Sequence, residues 1–519
     1  MRKIYLIRFI ALFVFIQSFT SCKQNSSALY SGDPVQNVIV IIGDDHSTKV
    51  LGSYGNKIIR TPNLDKLASG GIQFSNAYAN APLCSASRQS ILTGKYPHST
   101  GVTLLRTPFR DEGNTTVAEI LREEGFRTAI IGKSHFNNYM DSVPPDHGFE
   151  YIWSHKDYLK WFAVYGRKVP DSISVRPDWR PFQDPSRIWL NADMLPGAFF
   201  EGDGTADLTA NKAIEFIQNH SDERFCLWVG FDQPHSPFDF PLEYRGKYDP
   251  DEILLPAGSK EDDRWIPAVF RDLSDEDKKG IIASYYTSVE YMDQAVGKIL
   301  DAVDESGLED ETLIIYMGDQ GYLLNDHKRF EKHTMWEYAI KAPLIIKAGG
   351  EIRRKQVNTK LTEFIDLAPT ILEILGFRVH PQMQGKSLVP QIEGNKSHHK
   401  EYVFAEFLCD NKAMVANDEW KYIFASGKSD LGQGYATGYG PSGIVHKLYQ
   451  LKNDPGETTN VSSDPDNSQI LIILQEQMLK IFKETHPYAD QLPEGLNREK
   501  SLVWFCDPPE KMLKKQKGD

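Results

Sequence analysis

Val38-Ile39-Val40-Ile41-Ile42-Gly43-Asp44-Asp45-His46 joins five β-branched apolar residues to a glycine, two carboxylates and an imidazole. β-Branched side chains suit an extended strand. An apolar run without alternation marks a strand covered on both faces, as in a parallel sheet. Three further runs share this texture, at residues 128–131, 225–229 and 312–317. Each stops close to polar, chemically capable residues. The second leads into Gly132-Lys133-Ser134-His135, the third into Asp232-Gln233-Pro234-His235-Ser236-Pro237, and the fourth into Gly318-Asp319-Gln320-Gly321.

Helical patterns at 116–124, 208–218 and 281–305 separate these runs. Strands alternating with helices predict an α/β fold, an open sheet with helices on both sides. In such sheets the ligand site lies outside the carboxyl ends of the strands. Four strands thus deliver carboxylates, a lysine and histidines to one rim.

The chain has 519 residues, 40% of them hydrophobic and 25% charged, which is enough apolar material for a large domain and a smaller one. Lys and Arg number 58 against 71 Asp and Glu, a net charge of −13 that disfavours a general nucleic-acid binder. Five cysteines in this length exclude a disulfide-built scaffold. Arg2, Lys3 and Arg8 precede an apolar run over 9–19 that is too short to span a bilayer and ends in Phe19-Thr20-Ser21-Cys22. That ending resembles a bacterial lipoprotein cleavage box, with the cysteine lipidated; a plain secretory signal is the alternative. The expected organisation is a signal peptide over 1–22, a polar tether over 23–36, a catalytic α/β domain over 37–375, a C-terminal subdomain over 376–500 and a tail over 501–519. The protein is expected in the cell envelope, as a periplasmic or surface lipoprotein tethered by lipid at Cys22.

Asp44, Asp45, Asp319 and Gln320 offer only oxygen ligands, which favours Ca²⁺, or failing that Mg²⁺, over zinc. Taken alone, Asp44-Asp45 also fits a helix cap or turn, and Lys133 and His135 fit a solvated lysine and a satisfied histidine. Cys84 opens a helical pattern running to Leu92, where the field favours negative charge, and Arg88 lies four residues on, on the same face. On chemistry alone this is a reactive thiolate, an anion site or an inert buried cysteine.

Cys84-Ser85-Ala86-Ser87-Arg88 with Leu92-Thr93-Gly94-Lys95 resembles the signature of the type I sulfatases, whose first cysteine is oxidised to formylglycine (3-oxoalanine). Thr61-Pro62-Asn63-Leu64-Asp65, Gly132-Lys133-Ser134-His135, Pro234-His235-Ser236-Pro237, Asp319-Gln320-Gly321, Lys332 before Pro343-Leu344, and Phe364-Ile365-Asp366-Leu367-Ala368-Pro369-Thr370 follow in the family's order. Leu448-Tyr449-Gln450-Leu451 with Asp454-Pro455-Gly456-Glu457 completes a resemblance covering about residues 36–485. Ala86 stands where proline is commoner, Gln320 where Asn or His is usual, and Ser134 where an aromatic is frequent. Asn325-Asp326-His327 departs from a stretch that usually contains glycine, so the substrate rim does not transfer.

The resemblance implies an alkaline-phosphatase-like fold: a large mixed, mostly parallel sheet flanked by helices, with a smaller C-terminal antiparallel sheet plus helix. It implies an exported sulfatase cleaving sulfate esters of a sulfated glycan, and a sulfatase-maturating, formylglycine-generating enzyme as partner. The implied metal ligands are Asp44, Asp45, residue 84, Asp319 and Gln320. The implied catalytic set is Cys84, Arg88, Lys133, His135, His235 and Lys332. Within it His235, helped by Lys332, protonates the leaving oxygen and His135 takes the proton that releases sulfate. Two rivals stand beside it: a phosphonate or phosphodiester hydrolase on the same scaffold, and an inactive lipid-anchored glycan-binding protein.

Residues 147–207 lose clear periodicity and hold Trp153, Trp161, Trp179 and Trp189 with Arg167, Lys168, Arg176, Arg180 and Arg187. Aromatic faces with cations suit acidic sugars; a cap packed by its own aromatics is the alternative. His327, Arg329 and His333, with Lys328, sit near Lys332 as further anion contacts or as a solvated basic loop. From Gly376 onward, strand-like runs at 401–407, 412–415, 421–425 and 446–451 predict a small antiparallel sheet. A helix over 467–484 presents Ile470, Ile473, Leu474, Met478, Ile481 and Phe482 as its packed face, and residues 511–519 are expected to fray. Cys226, Cys409 and Cys506 are expected as isolated buried thiols.

Overall fold

Val38, Val40 and Ile42 enter one apolar core while Ile39 and Ile41 enter another, so the first strand is the partition between two cores. Alternate side chains of a strand point to opposite faces, and an all-apolar strand therefore needs cover on both. Each such side chain, fully buried, contributes about 1.5–3 kcal/mol.

The computed structural model describes residues 35–138, 145–180, 184–349, 356–394, 399–426 and 443–507. The signal-like segment, Cys22, nearly all of the expected tether and the expected frayed end at 511–519 lie outside these. Among the described residues no helix is long and apolar enough to cross a membrane.

Within them the main sheet has eight strands: β1 (Asn37–Gly43), β2 (Ile72–Phe74), β3 (Arg127–Gly132), β4 (Tyr151–Trp153), β5 (Phe225–Gly230), β6 (Thr312–Gly318), β7 (Leu344–Ala348) and β8 (Gln356–Asn358). Their order is β8-β2-β7-β6-β1-β5-β3-β4. Only β7 runs antiparallel to its neighbours, so the sheet is mixed and mostly parallel. The larger helices are α1 (Pro62–Ser69), α2 (Cys84–Thr93), α3 (Val117–Glu123), α4 (His155–Tyr165), α5 (Thr205–Asn219), α6 (Asp275–Glu305), α7 (Leu367–Ile374), α8 (Ser468–Thr485) and α9 (Arg498–Phe505). One face of the sheet is covered by α2, α3 and α7, the other by α1, α5 and α6.

The four expected strands end level with one another. Ile42 and Gly132 both pair with Gly230, and Gly43 pairs with Gly318. Gly132 has φ +90°. A Cβ there would collide with the carbonyl oxygen of Gly230, and one on Gly230 with that of Lys133. Only glycine lets these two chains approach and turn at the rim.

The four-stranded antiparallel sheet follows as β9 (Val403–Phe407), β10 (Lys412–Ala416), β11 (Trp420–Ala425) and β12 (Val445–Gln450), paired in that order. Helix α8 packs on it through Leu474, Met478, Leu479 and Phe482. The buried stripe is narrower than the sequence suggested: Ile473 is exposed and Leu479 takes its place. Helix α9 buries Leu502 and Phe505 in the same core, so ordered packing crosses the expected boundary at 500. The subdomain is clasped to the short helix Glu337–Ile340 of the larger domain by Lys421, fully buried, 3.1 Å from Glu337 and 2.8 Å from Glu457. Glu457 also accepts the backbone N–H of Glu337 at 2.6 Å.

The stretch after His147 is more regular than its sequence suggested. It contains α4, whose start carries a capping box of Ser154 and Asp157. The arginines find carboxylates: Arg167 pairs with Asp203, Arg176 with Asp239, Arg180 with Asp184, and Arg187 with Asp193 and Asp277. Trp189 is a buried core residue and Trp179 packs beside it. Cys226, Cys409 and Cys506 are buried free thiols.

Candidate active site

The glycine-ended strands bring four short polar segments to the same rim, and α2 supplies a fifth from across it. Asp44, Asp45 and Asp319 place a carboxylate oxygen each within 4.8 Å of one another, all fully or almost fully buried. Asp319 sits at the centre of a web. It accepts the backbone N–H groups of Asp45 and Gln320, both at 3.0 Å, and Arg88 Nε at 2.8 Å. Ser87 hydrogen-bonds its carbonyl oxygen. Arg88 also donates to the Lys133 carbonyl at 2.7 Å and reaches within 3.9 Å of Asp44.

Burial works against a charge on Asp44, yet Lys133, His235, Lys332 and Arg88 together hold it well below the usual carboxylate range. Asp319 goes the other way: burial, then the neighbouring Asp44, push it up to about 7 against the pull of Arg88. Three close carboxylates that cannot all ionise comfortably are a site short of positive charge. Two buried acceptors, Asp44 Oδ1 and Gln320 Oε1, have no hydrogen-bond partner. The Gln320 amide, whose ends are nearly alike in shape, faces Asp45 and lies 3.8 Å from Cys84 Sγ. The donor set is all oxygen apart from position 84, which fits a hard divalent cation.

Cys84 is the first residue of α2, and the whole of Cys84-Ser85-Ala86-Ser87-Arg88 is buried. The Lys332 ammonium donates to its sulfur at 2.7 Å and to Asp45 Oδ1 at 2.5 Å. Burial nevertheless pushes the Cys84 thiol up to about 12, outweighing Lys332. Lys133 reaches Asp44 from the end of β3; burial opposes its charge, but Asp44 and Cys84 keep it protonated.

His235 presents Nε2 3.7 Å from Asp45 Oδ2, with Nδ1 donating to the Ser236 carbonyl at 2.7 Å. Burial lowers its proton affinity while Asp45 and Asp44 raise it, with a net fall. His135 (φ +61°) is driven well below an ordinary histidine by burial and then by Lys133. Its Nδ1 is buried without a hydrogen-bond partner. The structure therefore gathers Asp44, Asp45, Cys84, Arg88, Lys133, His135, His235, Asp319, Gln320 and Lys332 around one point.

The remaining candidates are placed differently. His327 stacks on Trp336 at 4.0 Å and its Nδ1 lies 3.0 Å from Asp262. Arg329 is buried against Glu331 and Trp265, and Lys328 pairs with Asp263. His333, next to Lys332, is buried against Phe407 of the C-terminal sheet. His327, Arg329 and His333 are buried in a packed junction, while Lys328 stays partly exposed at its edge. Sequence reading missed Tyr285, whose hydroxyl donates to the Asp45 carbonyl at 2.5 Å and accepts the Ser47 N–H at 2.8 Å. It also missed Gln233, whose carbonyl accepts the Asp44 N–H at 2.9 Å. Tyr285 lies 240 positions from its partner in the middle of a long helix, and no local signal marks it.

Residues 36–377 match the family model described as sulfatase, and residues 325–484 match that of N-sulphoglucosamine sulphohydrolase, C-terminal. N-acetylglucosamine-6-O-sulfatase of Bacteroides thetaiotaomicron is 25% identical, over 90% of this chain and 89% of its own length. Two solved structures share the fold. Phosphonate monoester hydrolase from Silicibacter pomeroyi has a TM-score of 0.72 at 23% identity, covering 88% of this chain and 97% of its own. A protein bound to its substrate D-glucosamine-2-N,6-O-disulfate has a TM-score of 0.68 at 21% identity, covering 89% and 100%. With the sulfatase model spanning well over half the sequence and the acidic cluster, lysines and histidines assembled around Cys84, the chain belongs to the sulfatase family, hydrolases of sulfuric esters.

Proposed function

We propose that the protein is an exported sulfatase acting on sulfate esters of a sulfated glycan, with position 84 oxidised to formylglycine and lipid attached at Cys22. The observation carrying this reading is the buried trio Asp44, Asp45 and Asp319 beside residue 84, ringed by Arg88, Lys133, Lys332 and His235. Asp44, Asp45, Asp319, Gln320 and residue 84 would hold a divalent cation, Ca²⁺ in preference to Mg²⁺. When bound, that ion neutralises crowded oxygens and makes a hydroxyl at position 84 a better nucleophile.

The chain's own residues supply the rest. Lys133, Lys332 and Arg88 present fixed positive charge where an anionic sulfate must sit, and fixed charge in a dry site costs no reorganisation during reaction. Arg88 is itself held by Asp319, so its position follows that of the cluster. His235 holds its ring by the Ser236 carbonyl and offers Nε2 to the leaving oxygen; its low proton affinity means that a bound proton is given up readily. His135 is kept neutral by burial and Lys133, and its unpartnered Nδ1 is the candidate proton acceptor. The sulfated-saccharide preference rests on the named substrates of similar proteins, N-acetylglucosamine-6-O-sulfate chemistry and D-glucosamine-2-N,6-O-disulfate among them. A maturating enzyme that oxidises Cys84 is the implied partner.

The test is release of inorganic sulfate from a panel of defined sulfated saccharides, measured beside phosphate release from an aryl phosphonate monoester. Mass spectrometry of the peptide bearing position 84 accompanies it. Sulfate release by protein whose residue 84 has lost its thiol sulfur is the expected result. Preferential phosphorus–oxygen cleavage, or activity with an intact cysteine, overturns the reading. Binding of sulfated saccharide without turnover by protein with formylglycine at 84 favours the glycan-binding rival.

A further inference from the structure

Asn325, which opens the segment that departs from the family's pattern, lines with Lys328 a cavity of about 290 Å³ outside the catalytic centre. This is near the lower end of the size range of small-molecule sites. Arg271, Lys278 and Lys328 line it against a single carboxylate, Asp275, and Phe270 and Ile266 give it an apolar wall. Lys278 pairs with Asp275 at 2.8 Å, and Arg271 has no carboxylate within ion-pair distance among the described residues. The stem of Lys328 lies on the backbone of Gly258, where a Cβ would come within 2.5 Å of Lys328 Cγ.

Asn325 supplies an independent sign of a ligand. The residue is 5% exposed; its Nδ2 donates to the Pro256 carbonyl at 3.3 Å, and its buried Oδ1 has no hydrogen-bond partner. A buried amide oxygen left unpaired in a cavity is an acceptor waiting for a donor. Its backbone is left-handed, φ +68°, which sets the side chain at the start of the turn over Asp326–Lys328.

Helix α6, which contributes Asp275 and Lys278 to the cavity, also reaches the catalytic rim. Along α6, Met292 packs against the end of β1, and Tyr285 touches Asp45. Asp275 is ten residues further toward the amino end, about 15 Å along the axis and beyond the strand ends. A ligand seated there is a few sugar rings from the ester being cleaved.

We propose that this cavity is a distal subsite for an anionic sugar ring, sulfated or carboxylated, of the same glycan chain whose ester is hydrolysed at residue 84. Arg271 and Lys278 take the anionic group, Asn325 Oδ1 accepts from a ring hydroxyl or amide N–H, and Phe270 meets the apolar face of the ring. The proposal rests on the sulfatase reading and extends it to chain length: the substrate is an oligosaccharide that reaches past the first ring.

The test uses full-length, formylglycine-containing protein and size-defined saccharides from heparin and chondroitin sulfate. Mono- and hexasaccharides bearing the same terminal sulfate are compared, with 4-nitrophenyl sulfate as reference. The wild type is expected to show a KM for hexasaccharide at least tenfold below that for monosaccharide. The double variant Arg271→Ala, Lys278→Ala loses that advantage with kcat unchanged, and keeps wild-type rates on monosaccharide and nitrophenyl sulfate. Asn325→Asp, which tolerates the left-handed backbone but adds a negative charge, weakens hexasaccharide further. Equal KM values at both lengths, or a double variant that retains the advantage, overturn the subsite while leaving the sulfatase reading intact. A mature wild type that frees no sulfate from any ester defeats that reading and the subsite together.

Discussion

The Lys332 ammonium lies 2.7 Å from the sulfur of Cys84, a residue 248 positions away, and its second contact, at 2.5 Å, is Asp45 Oδ1. One cation thus touches both Cys84 and a carboxylate of the acidic cluster. Replacing it by methionine keeps the length and removes the charge. Lys332→Met is expected to lower kcat/KM on sugar sulfates by about 10²–10⁴, the range of a lost proton donor or oxyanion contact. Arginine, planar and bulkier, is not expected to restore it. Steady-state kinetics on a sulfated monosaccharide check both variants.

His235 is expected to matter in proportion to how badly the leaving group needs a proton. A sugar alkoxide leaves poorly and a nitrophenolate well. His235→Ala therefore loses about 10²–10⁴-fold on sugar sulfate and far less on nitrophenyl sulfate. Equal losses on both would make His235 a sulfate-binding residue and move the acid to Lys332.

The acidic cluster predicts metal-dependent stability. Ca²⁺ added to chelated protein is expected to raise Tm in a concentration-dependent way, since a ligand that binds only the folded state stabilises it by mass action. Asp319→Asn removes a carboxylate from the trio, and the Tm response to Ca²⁺ should fall away with it. Zinc in the purified protein by elemental analysis would count against the oxygen-ligand argument.

Cys84 present as a free thiol is expected to be inert. It is buried, and burial pushes its thiol up to about 12. At pH 8 iodoacetamide should leave residue 84 unlabelled in the folded protein and label it within minutes in guanidinium chloride, as read by peptide mass spectrometry. Rapid labelling of the folded form would mean that α2 opens readily.

His486 gives a pH dependence of stability remote from the catalytic centre. Its ring packs against His98 at 5.2 Å and its Nδ1 accepts the Tyr488 N–H at 3.2 Å, an arrangement of the neutral ring. Burial, with His98 adding to it, pushes it down to about 3. The unfolded chain takes up a proton near pH 6.5 and the folded one does not, so this contribution is complete above 6.5 and is lost as pH falls toward 3. Allowing for partial solvation, the loss between pH 6.5 and 5 is about 1 kcal/mol. His486→Gln keeps an acceptor but does not titrate, and its urea midpoint should fall less steeply over that interval.

How far the sequence spoke depended on whether a signal was local. The strands around Val40, Ile130, Leu227 and Ile315 declared themselves because burial on both faces requires continuous apolar runs. Strands β2, β4 and β8 are three residues each, too short to show a period. Helix α4 buries only Tyr158 and leaves Leu159, Val164 and Tyr165 exposed, so no apolar face marked it; the Ser154–Asp157 cap was the available sign. The site was legible through motifs at strand ends. The pairing of Arg176 with Asp239 and of Arg187 with Asp277 was not, because the partners come from distant segments. Those cations, for which the sequence left open both contacts to acidic sugars and a self-packed cap, are engaged within the protein.

The clasp of Lys421 with Glu337 and Glu457 also bears on when the protein can begin to work. A ribosome delivers Asp44, Cys84, Lys133, His235 and Lys332 first, and the segment carrying Lys332 runs directly into Glu337, which Tyr78 and Lys341 already contact, while Lys421 and Glu457 arrive only late in the 519-residue chain. Until then Glu337 lacks its second cation, although Lys332 can already reach Asp45 and Cys84. The reactive groups therefore exist in the nascent chain before the far subdomain can brace the helix that follows Lys332. A product terminated before Lys421 would carry every one of them and lack that brace.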